Sequence, residues 1–567
     1  MTSDSSTYLP RPFPQRLPRV CVVIFGSNPQ EMVEKAEAIA HDNPFLEFRL
    51  DYLSNPLQGL PKLKAFLSQH TYVQAIATCR RVANGGKFKG SLAAQLEVLT
   101  KAAEAGCQYV DLDLQSAQAL KAAEIQKLKT KAGLVLSYHD FRSTKKLNET
   151  FEPMKVFPAD IYKVVTTATS LSDNVVMMRF LEEQSSQHSL VGLCMGEQGI
   201  ISRVIGVRAG SVFTFAAATP GEETAPGQIA AKTLRDVYRI DQVDAATKIY
   251  GVAGDPIQHS LSPAMMNAAF RRENLNSVYL PLHAKKIEDL VSCIHGIPLH
   301  GVSITMPYKE AILEHLDNCE PLCQRIGACN TVIRGQDGKL YGFNTDVAGV
   351  VRPIEQRIHP KGAKILVLGA GGAARAAVFG LKERGAEVFI LNRTPATAQK
   401  LARQAQAKAI KRDDLKKMSF DVIINATPVG MGGNGSLLNE KELNARLVMD
   451  MVYNPVETRL LRMAREKGLA VISGVEMFVQ QGARQFEIWT GKPAPIAEMQ
   501  YVVVSELKAR QAAEPTEERP VHVAPVEKKP APAEKKVAPV EKKAAPAKKA
   551  PVKPAPAKKK AVSKKGK

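Results

Sequence analysis

No apolar stretch in this 567-residue chain approaches the length of a membrane-spanning helix, so the sequence offers no bilayer span. Met1 to Arg19 carries Pro, Ser and an Asp but no apolar core. That pattern resembles a loose, disordered leader over residues 1–18 rather than a secretory signal peptide. Cysteine is present but unorganised: Cys21, Cys79, Cys107, Cys194, Cys293, Cys319, Cys323 and Cys329 make no paired Cys-x-x-Cys set. This argues against a zinc centre, so no metal is expected, and for reduced thiols in a cytoplasmic protein. Residues 513–567 lack aromatics and almost all bulky apolar side chains. They repeat Ala-Pro-Val-Glu-Lys-Lys with a period of seven, at Ala524–Lys529, Pro532–Lys536 and Ala538–Lys543. Such a segment buries too little surface to offset its conformational entropy, and disorder is expected.

The formal net charge of +21 suggests a nucleic-acid partner until it is located. Glu514 to Lys567 holds 16 basic and 6 acidic residues, about half of the excess. Without aromatics to stack on bases, those lysines would give at most non-specific, salt-dependent contact with nucleic acid. A solubilising tether is the preferred reading of the tail. The remaining body is mildly basic, as suits an enzyme of anionic metabolites.

Length alone suggests three to four domains. From Cys21, apolar strands recur every 20 to 30 residues with amphipathic helical segments between them. The expected strands are Cys21–Phe25, Glu47–Tyr52, Gln74–Arg80, Tyr109–Leu114, Leu134–His139, Asp160–Thr166, Val191–Gly196 and Val212–Ala217. Eight such units within residues 19–242 fit an α/β fold of the (β/α)8 barrel type, whose chemistry collects at the carboxyl ends of the strands. Glu47, Arg49, Arg80, Asp113, His139, Lys163, Arg203 and Gln228 gather there. Lys163 lies within the apolar strand Asp160-Ile-Tyr-Lys-Val-Val165, where a charge is costly without a purpose. Arginines nearby would disfavour its ammonium form and expose an amine nucleophile, with His139 at the preceding strand end as base and acid. An outward-pointing lysine is the structural alternative.

A second organising stretch begins at Ile365. The apolar run to Leu368 stops at Gly369, and Gly369, Gly371 and Ala374 follow a Gly-x-Gly-x-x-Ala spacing before a helix over Ala373–Glu383. This is the pattern of a dinucleotide-binding turn, with the phosphates at the helix N-terminus. The next strand, Glu387–Leu391, ends in Asn392, Arg393 and Thr394 rather than an acid, which suits a ribose 2′-phosphate and so NADP. Upstream, Gly251-Val-Ala-Gly-Asp-Pro-Ile-Gln-His-Ser-Leu-Ser-Pro263 sets Ser260 and Ser262 beside a helix start, where simple capping is the alternative. Gly301-Val-Ser-Ile-Thr-Met-Pro-Tyr-Lys309 places a lysine at what reads as the opening of a helix, against the macrodipole. Ala328-Cys-Asn-Thr331 and Gly342-Phe-Asn-Thr-Asp346 add amides and a carboxylate.

These motifs carry two resemblances. Glu47-Phe-Arg-Leu-Asp51, Ser137-Tyr-His-Asp140, Asp160-Ile-Tyr-Lys163, Met195-Gly-Glu-Gln-Gly-Ile-Ile-Ser-Arg203 and Ala225-Pro-Gly-Gln228 resemble type I 3-dehydroquinate dehydratase across the whole barrel. The resemblance implies a Schiff base at Lys163 and proton transfer by His139. It implies that Arg203 holds the substrate carboxylate, with Glu47, Arg49, Arg80, Thr224 and Gln228 binding or orienting around it. Asn84 stands where the family commonly has an acid supporting the histidine, and Thr224 where a serine is common.

The second half, from Ile249 to about Gly491, resembles shikimate dehydrogenase, completed by Asn425-Ala-Thr-Pro-Val-Gly-Met431, Val452-Tyr-Asn-Pro455 and Gly474-Val-Glu-Met-Phe-Val-Gln-Gln-Gly482. That resemblance implies a catalytic pair, Lys309 and Asp346, with Ser260, Ser262, Thr305, Asn330, Tyr453 and Gln481 around the substrate. NADP would lie on Gly369, Gly371, Gly372, Ala373, Asn392, Arg393, Thr394, Thr427 and Gly474. A further arginine that the family often has after Thr394 is missing from Pro395 to Ala398. The implied substrate lobe is 248–346 completed by 474–510, with a Rossmann domain over 347–473. Together the two resemblances imply consecutive shikimate-pathway reactions on 3-dehydroquinate, 3-dehydroshikimate and shikimate. Two alternatives stay open: a quinate/shikimate dehydrogenase with an impaired barrel, and a nucleic-acid-tethered protein acting through its tail.

Overall fold

The structure is a computed structural model, and it describes residues 17–433 and 435–513. The expected leader up to residue 16 and the expected tail from Glu514 lie outside the described residues. Eight parallel strands form the first sheet: β1 (Val20–Ile24), β2 (Phe45–Arg49), β3 (Gln74–Thr78), β4 (Tyr109–Asp113), β5 (Gly133–His139), β6 (Ile161–Thr167), β7 (Leu190–Met195) and β8 (Thr214–Ala217). They are hydrogen-bonded in the order β7-β6-β5-β4-β3-β2-β1-β8. A parallel bridge between Leu190 and Ser211 brings the two ends of the sheet together. Residues of one parity point inward. Val23, Ile76, Val135, Val191 and Phe213 pack there with Phe45 and Phe215 into a filled interior, as this barrel geometry requires. Leu17, assigned by sequence to the leader, packs against that inner core.

The strand ends lie within one or two residues of expectation except at the end of β2. β2 stops at Arg49, and Leu50–Tyr52 forms a short 3-10 turn. The cause is local: the Arg49 guanidinium donates to both carboxylate oxygens of Asp51, at 2.9 and 2.8 Å. That fork folds the chain away from the sheet.

The second half contains two sheets. β9 (Lys248–Gly254), β10 (Ser277–His283), β11 (Leu299–Ile304), β12 (Asn318–Cys319), β13 (Thr331–Arg334) and β14 (Leu340–Phe343) pair in the order β10-β9-β11-β13-β14-β12. β15 (Lys364–Leu368), β16 (Glu387–Leu391), β17 (Lys408–Ala409), β18 (Phe420–Asn425), β19 (Ala445–Asp450) and β20 (Ala470–Ile472) form an all-parallel sheet ordered β17-β16-β15-β18-β19-β20. The reversal at β15 is the switch point at which such sheets bind nucleotides. The C-terminal helices Gly474–Thr490 and Ile496–Ala513 return to the first of these sheets. Val475, Val479, Phe486, Met499 and Leu507 share one core with Tyr250, Met265 and Phe270. Among the described residues no helix is long and apolar enough to cross a membrane.

Loops at the carboxyl ends of β6 and β7 meet the second half directly. Ser172 donates to Asp289 at 3.1 Å, and Gln258 donates to Glu197 at 2.8 Å. His283 lies between Asp255, at 3.0 Å, and Glu197, at 3.5 Å.

Two candidate active sites

The first site is a pocket of about 100 Å³ at the carboxyl end of the barrel. Glu47, Arg49, Arg80, His139, Lys163, Arg203, Thr224 and Gln228 all line it. Lys163 is only 5% exposed and points inward. Its nearest charged partners are carboxylates rather than the arginines inferred from sequence: Asp111 Oδ2 at 3.1 Å and Glu47 Oε1 at 3.4 Å. Its ammonium also lies 3.8 Å from the centroid of the Phe215 ring.

Asp111 was missed in the sequence, and it organises the floor of the cavity. It accepts from Arg80 at 2.9 Å and from the Ser137 hydroxyl at 2.7 Å, besides pairing with Lys163. Burial opposes its charge, but Lys163 and then Arg80 outweigh burial and hold the carboxyl well below the usual range. Asp113, the acid singled out by position, is spent locally. It caps the helix Leu114–Gln118 through the Ser116 N–H at 2.8 Å and accepts from Asn84 at 2.6 Å. Asn84 is therefore turned toward Asp113 and Ser116.

Arg80 takes up the histidine instead. Its Nη1 lies 2.9 Å from His139 Nε2, and a guanidinium can only donate, so Nε2 accepts and the ring is neutral. Burial first, and then the Arg80 charge, push the imidazole well below its ordinary value. Arg203 is the most isolated charge. It is 2% exposed, donates to the Pro226 carbonyl at 3.2 Å, and leaves its Nε without a partner. Burial lowers its pKa to about 10. Such a buried guanidinium is set to receive an anion. Thr224 donates to Gln228 Oε1 through its backbone N–H at 2.8 Å and its hydroxyl at 3.2 Å, which fixes that loop over the cavity.

The second site is built on loops at the ends of β9, β11, β13 and β14. Lys309 Nζ lies 2.5 Å from Asp346 Oδ2. The Asn330 side chain donates to the other Asp346 oxygen at 2.8 Å and to Thr345 Oγ1 at 3.0 Å. Lys309 does not open a helix. It sits in the turn that follows Pro307, before the 3-10 helix Ala311–His315, so no helix dipole opposes it. Ser260 accepts the Ser262 N–H at 3.3 Å, and the helix Ser262–Arg272 has no side-chain cap.

The sequence also gave no warning of Tyr279 and Gln485. Tyr279 is buried and donates to Ser303 at 2.6 Å. Ser303 donates to Gln485 Oε1 at 2.8 Å, and the Gln485 amide donates to Asn330 O at 3.1 Å and Thr331 Oγ1 at 3.0 Å. One hydrogen-bonded chain therefore runs from Tyr279 through Ser303 and Gln485 to the Asn330–Asp346 pair. Thr305 follows β11 directly, and Gln481 donates to Phe478 O at 2.8 Å on the returning helix. Tyr453 stacks on Phe478 with ring centroids 5.0 Å apart.

The glycine turn lies between β15 and the helix Gly372–Glu383. Gly369 has φ +111°, a conformation that favours glycine. A Cβ on Gly371 or Gly372 would meet no protein atom within 4 Å, so the space above the turn is open. Ala373 lies in the first turn of that helix. Thr427 packs beneath, its Cγ2 3.0 Å from the Cβ position of Gly369. At the end of β16, Asn392 donates to Thr394 O at 3.1 Å while Arg393 is exposed. Thr394 precedes the helix Pro395–Ala405 without spending its hydroxyl on a cap. Open backbone amides, a free hydroxyl and an exposed guanidinium are the donor set for a phosphorylated dinucleotide. Gly474 starts the returning helix against Val452 O, where a Cβ would come within 2.2 Å.

Fold and sites together define a barrel enzyme centred on a buried lysine, joined to a two-lobed dinucleotide-dependent oxidoreductase. Family models agree along the chain. Residues 20–245 match type I 3-dehydroquinase, and 252–332 match the shikimate dehydrogenase substrate binding domain. Residues 354–445 match shikimate/quinate 5-dehydrogenase, and 474–502 match the shikimate 5′-dehydrogenase C-terminal domain. The bifunctional 3-dehydroquinate dehydratase/shikimate dehydrogenase of Arabidopsis thaliana, a chloroplastic protein, is 34% identical over 505 residues, 84% of this chain and 82% of that one. The NADP(+) shikimate dehydrogenase of Pyrococcus furiosus is 41% identical over 278 residues, 47% of this chain and all of that one. A crystal structure of shikimate 5-dehydrogenase from Thermus thermophilus with NADP(H) and shikimate is 38% identical, with a TM-score of 0.43, covering 46% of this chain and 99% of that one. The chain belongs to the bifunctional 3-dehydroquinate dehydratase/shikimate dehydrogenase family.

Proposed function

We propose that the two sites catalyse consecutive steps, with Lys163 as the nucleophile of the first and Lys309 as the proton donor of the second. The protein dehydrates 3-dehydroquinate to 3-dehydroshikimate in the barrel and reduces that product to shikimate in the cleft with NADPH. The observation that carries the first step is a single buried lysine in the barrel pocket, flanked by two carboxylates. When the ketone arrives, Asp111 or Glu47 takes the ammonium proton and the amine adds to the carbonyl carbon. Loss of water leaves an iminium. The iminium withdraws electrons from the neighbouring carbon, and the neutral His139 removes its proton. The same histidine returns the proton to the departing hydroxyl, and hydrolysis frees Lys163. Arg203 pairs with the substrate carboxylate, which supplies the anion its Nε lacks.

In the cleft, Gly369, Gly371 and Gly372 would hold the pyrophosphate of NADPH, which would supply the hydride. Lys309 gives its proton to the developing alkoxide, and Asp346, fixed by Asn330, keeps the ammonium aimed. Ser260, Ser262, Thr305, Tyr453 and Gln481 bind the hydroxyls and carboxylate of the substrate. Incubation with 3-dehydroquinate and borohydride tests the first step: the reading requires an adduct on Lys163, and its absence refutes the Schiff base. Mixing 3-dehydroquinate with NADPH and the full chain tests the pair, since shikimate must appear as NADPH is consumed.

Eight free cysteines, seven of them buried, favour a reducing, cytoplasmic setting, which cell fractionation tests. The residues after Glu514 serve first as a solubilising tether, and any nucleic-acid contact their lysines make is non-specific and salt-dependent. Retention on DNA that survives removal of those residues would refute it.

A further inference from the structure

Outside the groups that face substrate, three thiols converge behind the cleft. Cys319 ends β12, Cys323 lies in the helix Pro321–Ile326, and Cys329 immediately precedes Asn330. A Cβ on Gly342 would lie 3.1 Å from Cys329 Sγ and 3.5 Å from Cys319 Sγ, so both sulfurs use the space that this glycine leaves. The Cys323 thiol interacts electrostatically with both of the others and donates to Ala328 O at 3.4 Å. Cys323 and Cys329 are fully buried, while Cys319 is partly exposed. The interaction with Cys323 makes Cys329 the more acidic thiol, and the Lys309 charge acts in the same direction.

Packing accounts for buried cysteines one at a time. It does not account for three within reach of each other, one open to solvent and one tied to the catalytic groups. The Cys329 N–H donates to the Lys309 carbonyl at 2.7 Å. The next residue, Asn330, holds Asp346.

We propose that Cys319 and Cys329 are an oxidation site: a peroxide converts them to an intramolecular disulfide that displaces Lys309 and Asn330 and stops reduction. This rests on the reading of the cleft as the reductase. Hydrogen peroxide oxidises the Cys319 thiol to a sulfenic acid and releases one water. The Cys329 sulfur then attacks that sulfur, the S–S bond forms and a second water leaves. A dithiol reverses the change by thiol–disulfide exchange.

The two activities of one polypeptide make the test selective. The full chain is treated with hydrogen peroxide, both reactions are followed, and thiol pairing is mapped by mass spectrometry. Reduction falls, dehydration persists, dithiothreitol restores reduction, and the map shows Cys319 bonded to Cys329. Cys319→Ser and Cys319→Ala lose reduction roughly tenfold more slowly, as removal of the accessible thiol requires. A bond from Cys319 to Cys323, no bond at Cys319, or equal inactivation of wild type and both variants overturns the proposal. The map does not depend on activity, so a wrong assignment of the cleft reaction is visible separately.

Discussion

Each half of the chain relies on a lysine, and the two are held in opposite ways. Lys163 is buried between two carboxylates, with an aromatic face beneath it. Lys309 keeps 23% of its side chain exposed and has one carboxylate partner, at 2.5 Å. A nucleophile must lose its proton and meet a carbon, so several acceptors around a buried amine suit it. A proton donor must keep its proton and its aim, so one fixed partner at the edge of an open cleft suits it. The surroundings, not the residue type, separate the two chemistries.

The contrast breaks most sharply at the barrel lysine. Lys163→Ala removes the nucleophile and should lower dehydration by roughly 10⁴-fold or more, with the reduction rate unchanged in the same preparation. Lys309→Ala removes only a proton donor, so reduction should fall by about 10²- to 10⁴-fold while dehydration holds. Equal losses in both reactions from either substitution would show that the halves do not work separately.

A third test sharpens the comparison through pH. The imidazole of His139 lies well below 6.5, so it remains the neutral base as pH falls through the ordinary histidine range. The acid limb of kcat/KM for dehydration should therefore lie below that range. Arg80→Gln removes a charge that depresses the imidazole, and the limb should move to higher pH. A limb at the ordinary value in the wild type would remove the argument. The smallest effect concerns Asn84. Replacing it by Asp sets a second carboxylate against Asp113, so stability should fall by about 1 kcal/mol in urea unfolding without faster dehydration.

Much of this was legible in the chain, for reasons that also explain what was not. Lys163 stood out because a charge inside an apolar β-branched strand is expensive. The turn at Gly369 stood out because its spacing encodes backbone geometry. Asp111 did not stand out: Tyr109–Asp113 presents two acids of the same parity, and position alone favoured the one nearer the strand end. Only the fold shows Asp113 capping a helix while Asp111 reaches Lys163. Tyr279 and Gln485 were invisible because Ser303, which joins them, lies 24 residues from one and 182 from the other. The helix expected at Lys309 failed because Pro307 and the turn after it delay regular structure until Ala311.

The contacts of Glu197 and Ser172 with the second half bear on how the two enzymes can be taken apart. Val175, in the helix after β6, lies so near Gly296 that a Cβ there would come within 2.4 Å of it. Severing the chain between the halves would bare this apolar seat and leave Asp289 and Gln258 without their bonds. A free half would thus begin life with a wound the intact polypeptide never shows. Silencing one activity by a single side chain is the gentler surgery.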